Sequence, residues 1–209
     1  MPGPGKRVEN KEKTKKAILK AALQLFSRKG FHGTTTKEIS QKAKVAEGTL
    51  FNYFRTKEDL ALYFLEQEII GLIEWFRHEE KLQRAPLPEK LFAVVYHLFE
   101  QLSPYEEFIG TVYLRALQPD SKLSPLSLQS WDLKLRYLRF VGGILSQAED
   151  EGEIPKLGDI GAYGFGVFHT AMVTYWLHDQ SPGKENTLAL LDRGLKVVTS
   201  VLKKGGWEW

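Results

Sequence analysis

Apolar residues recur at spacings of three and four along almost the whole chain. The clearest example lies near the C-terminus, where the spacings are 3, 4, 3 and 4 at Leu188, Leu191, Leu195, Val198 and Leu202. Such spacing places the apolar side chains on one face of an α-helix. Prolines and glycines interrupt the pattern repeatedly, and no segment alternates apolar and polar residues for long enough to predict a strand. The sequence therefore predicts an all-α fold of about nine helices.

Residue types exclude several kinds of chemistry. The 209 residues include no cysteine, which excludes disulfide scaffolds, thiolate zinc sites and cysteine nucleophiles. A metal site made of histidines and carboxylates would need clustering, but His169 and His178 are nine residues apart and do not share a helical face. No G-x-S-x-G, H-E-x-x-H, P-loop or G-x-G-x-x-G motif occurs. We therefore expect no enzymatic activity, no cofactor and no metal site.

The net charge of +3 hides a strong asymmetry. Residues 1–60 contain 14 Lys and Arg against 6 Asp and Glu, whereas residues 61–209 contain 15 against 20. A basic segment joined to a mildly acidic body is typical of a nucleic-acid-binding module, although an anionic membrane surface would attract it as well. Residues 160–177 carry no formal charge, but they include three glycines and lack a flanking Lys or Arg. We therefore predict a buried helix there rather than a membrane span, in a cytoplasmic protein.

The basic segment has the pattern of a helix-turn-helix. Gly30 ends a first amphipathic helix, and Thr35 to Glu38 has the S/T-x-x-E form of a capping box, which predicts a second helix from about Thr36. A short turn separates it from a third helix over 48–54. Thr56 then caps a long helix over about 57–80. In this arrangement the third helix enters the major groove of DNA, with Leu50 and Phe54 in the core.

The residues of this segment closely resemble the tetracycline-repressor (TetR/AcrR) family of bacterial regulators. The resemblance covers residues 15–60 and rests on Leu25-Phe26, Lys29-Gly30-Phe31, Thr34-Thr35, Glu38-Ile39, Gly48-Thr49-Leu50-Phe51, Tyr53-Phe54 and Lys57-Glu58-Asp59-Leu60. It implies a repressor that binds a palindromic double-stranded DNA operator as a homodimer and releases it when a small-molecule effector binds. The alternative is a helical small-molecule or lipid-binding module that does not bind DNA. A gel-shift assay would distinguish the two functions.

The resemblance also implies which residues contact DNA. They are Thr36, Lys37, Glu47, Gly48, Thr49, Phe51, Asn52, Tyr53 and Lys57. The absence of a side chain at Gly48 would allow the recognition helix to approach the duplex closely. Two positions depart from the family pattern: Ala46 replaces a capping Ser or Thr, and Phe51 replaces the more common Tyr. We therefore expect the recognition helix to lack one N-terminal hydrogen bond.

The same resemblance implies a DNA-binding domain over 10–56 and an effector-binding and dimerisation domain over 57–209, and the Pro- and Gly-rich start of the chain predicts a disordered tail over 1–9. Dimerisation is expected through helices at about 159–178 and 185–203, where the leucine stripe suits a helix seam and Gly161 and Gly164 permit close approach. An intramolecular core would look similar. Dense aromatic residues favour an apolar or aromatic effector. The candidate contacts are Tyr96, Phe99, Phe108, Val112, Trp131, Leu135, Phe168, His169 and Met172.

Overall fold

The computed structural model describes residues 4–125 and 127–203, and throughout those residues the regular structure is helical. The helices are α1 (Pro4–Gly33), α2 (Thr36–Lys42), α3 (Glu47–Tyr53), α4 (Lys57–His78), α5 (Glu80–Gln83), α6 (Leu87–Leu102), α7 (Glu106–Ala116), α8 (Leu128–Asp150), α9 (Asp159–His178) and α10 (Glu185–Lys203). Because α5 is a single turn, nine longer helices remain in the described ranges. The predicted all-α fold is confirmed.

Helix boundaries in the N-terminal region follow local chemistry. Thr35 caps α2 through a reciprocal capping box with Glu38, and Thr56 does the same for α4 with Asp59, whose N–H donates to the threonine hydroxyl over 3.2 Å. Gly30 has φ +72° and interrupts α1, a backbone angle that a side chain would strain. These three predictions are confirmed. The expected disordered tail over 1–9 differs from the structure, in which α1 already begins at Pro4. Residues 1–3 lie outside the described residues.

The chain forms two compact units. The N-terminal unit comprises residues through Gln67 together with Tyr105–Trp131, and the C-terminal unit comprises Glu68–Pro104 and Asp132 onwards. This division differs from the domain boundary expected after residue 56. The first half of α4 and the whole of α7 belong with the helix-turn-helix.

An aromatic core explains why α7 belongs to the N-terminal unit. The Phe108 ring stacks on Phe26 at 5.0 Å between centroids and packs edge-on against Phe64 at 5.6 Å. Phe31 completes the group, 5.1 Å from Phe26. Burying large aromatic side chains contributes strongly to stability. Residues far apart in sequence therefore hold α1, α4 and α7 in one folded unit.

The C-terminal unit is built on α6, α9 and α10. In this unit α10 packs against both α6 and α9, and the buried residues of α9 lie on one face at Ala162, Phe165, His169, Met172 and Trp176. Residues 160–177 thus form a helix, as predicted, but only one of its faces is buried, and Ile160 and Val167 on the opposite face are exposed. In the described ranges, none of the helices combines the length and the hydropathy that a membrane span requires.

Asp179 organises the turn between α9 and α10. Its carboxylate accepts hydrogen bonds from the N–H and hydroxyl of Thr187, at 2.8 and 2.7 Å, and from the same two groups of Ser181. Burial favours the neutral carboxyl, but these hydrogen bonds outweigh it and lower the pKa of Asp179. The carboxylate satisfies donors at the start of α10 that otherwise have no intrahelical partner.

Candidate DNA-binding surface and effector cavity

Helices α2 and α3 bring most of the predicted DNA contacts to one solvent-facing surface. The Thr36 hydroxyl donates to Glu47 Oε1 over 3.3 Å and joins the first turns of the two helices. The exposed predicted residues are Lys37, Glu47, Gly48, Phe51 and Asn52, and the half-buried ones are Thr36, Thr49 and Tyr53. Leu50 and Phe54 are buried, as expected of core residues. The outward side chains offer donors, acceptors and an aromatic ring, the groups that read base edges and phosphates.

The start of α3 is open to an approaching duplex. A Cβ placed on Gly48 would meet no atom within 4 Å, so this part of the helix has free space around it. Ala46 is the N-cap and makes no side-chain hydrogen bond, which confirms the missing cap. Phe51 is 43% exposed on the outward side of α3.

Glu38 ties α2 to the end of α1. The Lys29 ammonium donates to its carboxylate, and so does the Thr35 N–H, and together they lower the pKa of Glu38 to about 2. The pairing draws Lys29 toward Glu38 and leaves Lys37 as the exposed cation at the start of α2.

The surroundings of Lys57 differ from those expected of a DNA-contacting residue, the role that the resemblance implies. Its ammonium donates to the backbone carbonyl oxygens of Phe31 and Thr34, at 2.5 and 2.9 Å, and lies 4.8 Å from the centre of the Phe31 ring. Burial lowers the pKa of this lysine. Carbonyl groups at a helix end lack intrahelical partners and attract cations. Lys57 therefore links the start of α4 to the end of α1 through hydrogen bonds.

The C-terminal unit contains an apolar cavity of about 600 Å³. Its walls come from α6, α8, α9, α10 and the segment before α9: Leu87, Leu91, Leu145, Leu157, Ile160, Gly161, Gly164, Phe165, Phe168, Leu195, Val198, Thr199 and Leu202. The only polar side chain among them, Thr199, donates its hydroxyl to the Leu195 carbonyl over 2.7 Å. The volume lies within the usual range for ligand pockets, roughly 300–1,000 Å³. The cavity can accept an extended apolar group.

One of the nine predicted effector contacts, Phe168, lines this cavity. Phe99, Met172 and His169 are buried in the same unit, and Leu135 is half-buried there. Tyr96 lies on the surface and donates its hydroxyl to Glu100 over 2.7 Å. The other three, Phe108, Val112 and Trp131, belong to the N-terminal unit, where Phe108 is part of the aromatic core and Trp131 is exposed. The leucine walls could not be predicted from the sequence, because leucines at helical spacing are equally typical of an ordinary core.

Two residues of the leucine stripe of α10 face their own chain. Leu191 and Leu195 are buried without any partner subunit, and α10 packs against α6. The interpretation of this stripe as a seam between subunits is therefore wrong for these residues. Gly161 also serves the interior, because a Cβ there would lie 3.0 Å from Leu157 and 3.3 Å from Leu145.

A different face of α9 and α10 is apolar and exposed. On α9 it includes Val167, which is 74% exposed, with Ile160, Tyr163 and Tyr175. On α10 it includes Leu190, Val197 and Val201. Residues at these spacings share one face of each helix, and exposed apolar faces on neighbouring helices are typical of a protein interface.

Two family models match the chain. The model for bacterial regulatory proteins of the tetR family matches residues 18–64, and the model for the tetracyclin repressor-like C-terminal domain matches residues 90–208, more than half of the chain. The chain belongs to the tetracycline-repressor (TetR) family. It is a DNA-binding transcriptional regulator with a helix-turn-helix and a ligand-responsive C-terminal domain. Within the described residues, no group of three His, Asp or Glu side chains is placed to hold a metal ion.

This TetR-family regulator is similar over most of its length to regulators of fatty acid metabolism. It is 26% identical to the fatty acid metabolism regulator protein of Bacillus subtilis, over 88% of this chain and 92% of that protein. The structure of FadR from B. subtilis in complex with stearoyl-CoA matches with a TM-score of 0.68, covering 88% of this chain and 97% of that one. FadR of Thermus thermophilus, in complex with lauroyl-CoA, has the same fold, with a TM-score of 0.65, 24% identity and coverage of 85% and 92%.

Proposed function

We propose that this regulator is a homodimeric repressor whose effector is a long-chain acyl thioester. The observation that carries the proposal is the 600 Å³ cavity, whose walls are almost wholly apolar. Each buried methylene of a chain contributes roughly 0.8 kcal/mol. A long alkyl chain thus binds there far better than a short or charged molecule. The FadR proteins of similar fold, described in complex with stearoyl-CoA and lauroyl-CoA, support this class of effector.

In this proposal the operator is read by the surface of α2 and α3. Lys37, Thr49, Asn52 and Tyr53 meet base edges or phosphates, together with Thr36, Glu47, Gly48 and Phe51. Lys57 acts indirectly by holding α4 to the end of α1. Because the contacts to phosphate release counterions, affinity should fall steeply as salt rises, by ~10³-fold between ~50 and ~200 mM for six contacts.

Two copies associate, in the same proposal, through the exposed apolar face of α9 and α10. A two-fold dimer places two recognition helices in successive major grooves, ~34–36 Å apart, and so favours a palindromic site. The face is contributed by the same two helices in both subunits, as a two-fold interface requires.

The test is operator release by lauroyl-CoA. DNA from upstream of the gene is labelled, and its binding is followed by fluorescence anisotropy while lauroyl-CoA or free coenzyme A is added. We expect lauroyl-CoA to release the DNA and free coenzyme A to leave it bound. DNA that stays bound at saturating acyl-CoA would contradict the proposed effector, and absence of binding to any upstream DNA would contradict the repressor function.

A pair of glycine variants makes the test specific to the cavity. Gly164 lines the cavity and a Cβ there meets nothing within 4 Å, so Gly164→Leu fills space without a clash in the backbone. Gly143 on α8 has equally free surroundings but is not part of the cavity wall, which makes Gly143→Leu the matched control. We expect Gly164→Leu to remain dimeric by light scattering and to bind DNA but no longer respond to lauroyl-CoA, and Gly143→Leu to behave as the wild type. Loss of the dimer in Gly164→Leu would show that Gly164 lies in the subunit interface instead.

A further inference from the structure

Three buried side-chain atoms of the described residues have no hydrogen-bond partner. They are Lys90 Nζ, Tyr137 Oη and His169 Nε2, and all three lie in the C-terminal unit. Nearly all buried polar groups in folded proteins are hydrogen-bonded, so each exception needs an explanation. Two of the three, Tyr137 and His169, are neighbours. A ligand that supplies the missing partner would explain both at once.

The two side chains form a small polar site within aromatic surroundings. The ring centroids of Tyr137 and His169 are 5.1 Å apart. Phe99 and Phe165 lie 6.3 and 6.2 Å from the imidazole, and Trp176 stacks on Phe99 at 5.2 Å. Burial lowers the pKa of His169 to about 4 and raises that of Tyr137. At neutral pH both groups are therefore uncharged.

The pair lies beside the apolar cavity along the same helices. Phe165 lines the cavity and also packs against His169. On α6, Leu91 lines the cavity and Phe99, eight residues later, packs against His169. On α8, Leu145 lines the cavity and Tyr137 lies eight residues before it. Eight residues span roughly 12 Å along a helix. An extended ligand that passes Phe165 would bring an atom of its chain to the two polar groups.

We propose that Tyr137 and His169 form a subsite that binds one uncharged oxygen of the effector, either the thioester carbonyl or a hydroxyl on the chain. This inference rests on the proposed function and adds a chemical requirement to it. The Tyr137 hydroxyl donates, and Nε2 of a neutral imidazole donates in one of its tautomers. An ionised carboxylate is disfavoured, since neither group of the pair offers a compensating charge and burying an ion is costly.

Removing the oxygen from the ligand is the first test. Lauroyl-CoA and its thioether analogue S-dodecyl-CoA, which has a methylene in place of the carbonyl, are titrated into the wild type and Tyr137→Phe by calorimetry. A third ligand, S-(12-hydroxydodecyl)-CoA, restores an oxygen at the far end of the chain. We expect whichever oxygen is recognised to improve binding to the wild type at least about tenfold, and to give no advantage in Tyr137→Phe.

Thermal unfolding of the unliganded protein supplies a second readout. Because Phe lacks the unsatisfied hydroxyl, Tyr137→Phe should raise the unfolding temperature while weakening oxygen-bearing ligands. Tyr96→Phe is the control, because Tyr96 lies on the surface of α6, and it should change neither. His169→Phe should weaken the same ligands as Tyr137→Phe.

The outcomes separate the two proposals. If lauroyl-CoA and S-(12-hydroxydodecyl)-CoA each bind the wild type and both Phe variants equally tightly, the polar subsite is wrong and the acyl effector stands. If none of the three ligands binds the wild type, the acyl effector itself is wrong, and the subsite fails with it. Equal binding of all three ligands to the wild type also overturns the subsite.

Discussion

At the scale of single residues, Lys57 yields the clearest prediction. Its ammonium holds two carbonyl groups where α1 ends, so Lys57→Ala leaves both without their charged donor. Hydrogen bonds to charged groups contribute ~1.5–3 kcal/mol when protected from water, and this one is partly exposed. We therefore expect the free energy of unfolding to fall by ~1–2 kcal/mol, measured by urea denaturation. The salt dependence of DNA binding should stay as in the wild type.

Lys37→Ala is the matched control for that variant. Lys37 is exposed at the start of α2, so its loss should leave the unfolding free energy nearly unchanged and weaken operator binding. If Lys57→Ala lowers the salt dependence of DNA binding and leaves stability unchanged, Lys57 contacts phosphate after all.

Lys90 leads to a second prediction, in which the substitution stabilises the protein. Its side chain is fully buried in α6 and its ammonium has no hydrogen-bond partner. Replacing a buried, unsatisfied polar group by an apolar one of similar shape removes a desolvation cost of ~1–3 kcal/mol. Lys90→Met should therefore raise the unfolding temperature of the unliganded protein, measured by calorimetry. Lys81→Met, at an exposed position on α5, is the control and should have little effect.

The hydrogen bonds at helix ends could be predicted from the sequence, and those of Lys57 could not. Thr35, Glu38 and Thr56 act on residues three positions away, so a local pattern contains all the information. Lys57 meets carbonyl groups of residues more than twenty positions earlier. Backbone carbonyls look the same at every residue, and no side-chain pattern marks which of them will need a partner.

At the scale of helices, a charged network joins the start of α4 to the loop after α7. Arg115 Nε donates to Glu58 Oε1 over 3.0 Å, the Lys122 N–H donates to the same carboxylate, and Lys122 Nζ donates to Asp59 over 2.6 Å. Burial would raise the pKa of Glu58, but the hydrogen bonds from Arg115 and Lys122 outweigh it and lower the pKa. The network fixes the first turn of α4, directly after the helix-turn-helix.

Breaking this network should destabilise the N-terminal unit. Arg115→Met keeps the apolar stem but removes the guanidinium, so the half-buried carboxylate of Glu58 loses its main donor. We expect a loss of ~1–2 kcal/mol in the free energy of unfolding, measured by urea denaturation. Lys196→Met is the control, because the pair of Lys196 with Asp192 on α10 is exposed and contributes little, ~0.3–0.5 kcal/mol. Equal losses in both variants would show that the network is ordinary surface charge.

Contacts between residues far apart in the sequence explain why the domain boundary could not be predicted. Helical periodicity identifies α7 as an amphipathic helix but does not say against which helix it packs. Phe108 packs with Phe26, and Arg115 pairs with Glu58, each across more than fifty residues of sequence. The apolar stripe of α10 is a second example. Leu191 and Leu195 have the same spacing in the sequence whether they pack against α6 or against a partner subunit.

At the scale of the whole molecule, effector and operator must influence each other equally. Helix α4 supplies residues to both compact units, Lys57–Gln67 to one and Glu68–His78 to the other, so a change in this helix affects both. If lauroyl-CoA weakens DNA binding by a given factor, saturating operator must weaken lauroyl-CoA binding by the same factor, a coupling of ~1–3 kcal/mol. Calorimetric titrations with and without operator DNA measure it. Unequal factors would show that the ligand acts on a species other than the DNA-bound dimer.

The exposed apolar face of α9 and α10 leads to a prediction about assembly. Val167 lies in this face and is 74% exposed in the single chain, so Val167→Glu is compatible with the folded subunit. In the proposed dimer the carboxylate would be buried beside its symmetry mate, where like charges repel and desolvation is costly. We expect the variant to be monomeric by light scattering and to bind operator at least about a hundredfold more weakly, because two half-sites are no longer held together.

Leu114→Glu supplies the control for this variant, because Leu114 is an exposed apolar residue of α7 outside the proposed interface. It should remain dimeric and bind operator like the wild type. The monomeric Val167→Glu protein should still bind non-specific DNA weakly and with steep salt dependence, since the surface of α2 and α3 is unchanged. A dimeric Val167→Glu protein with normal operator affinity would place the subunit interface elsewhere on the molecule, and an unfolded one would show that α9 needs an apolar residue at this position even within a single chain.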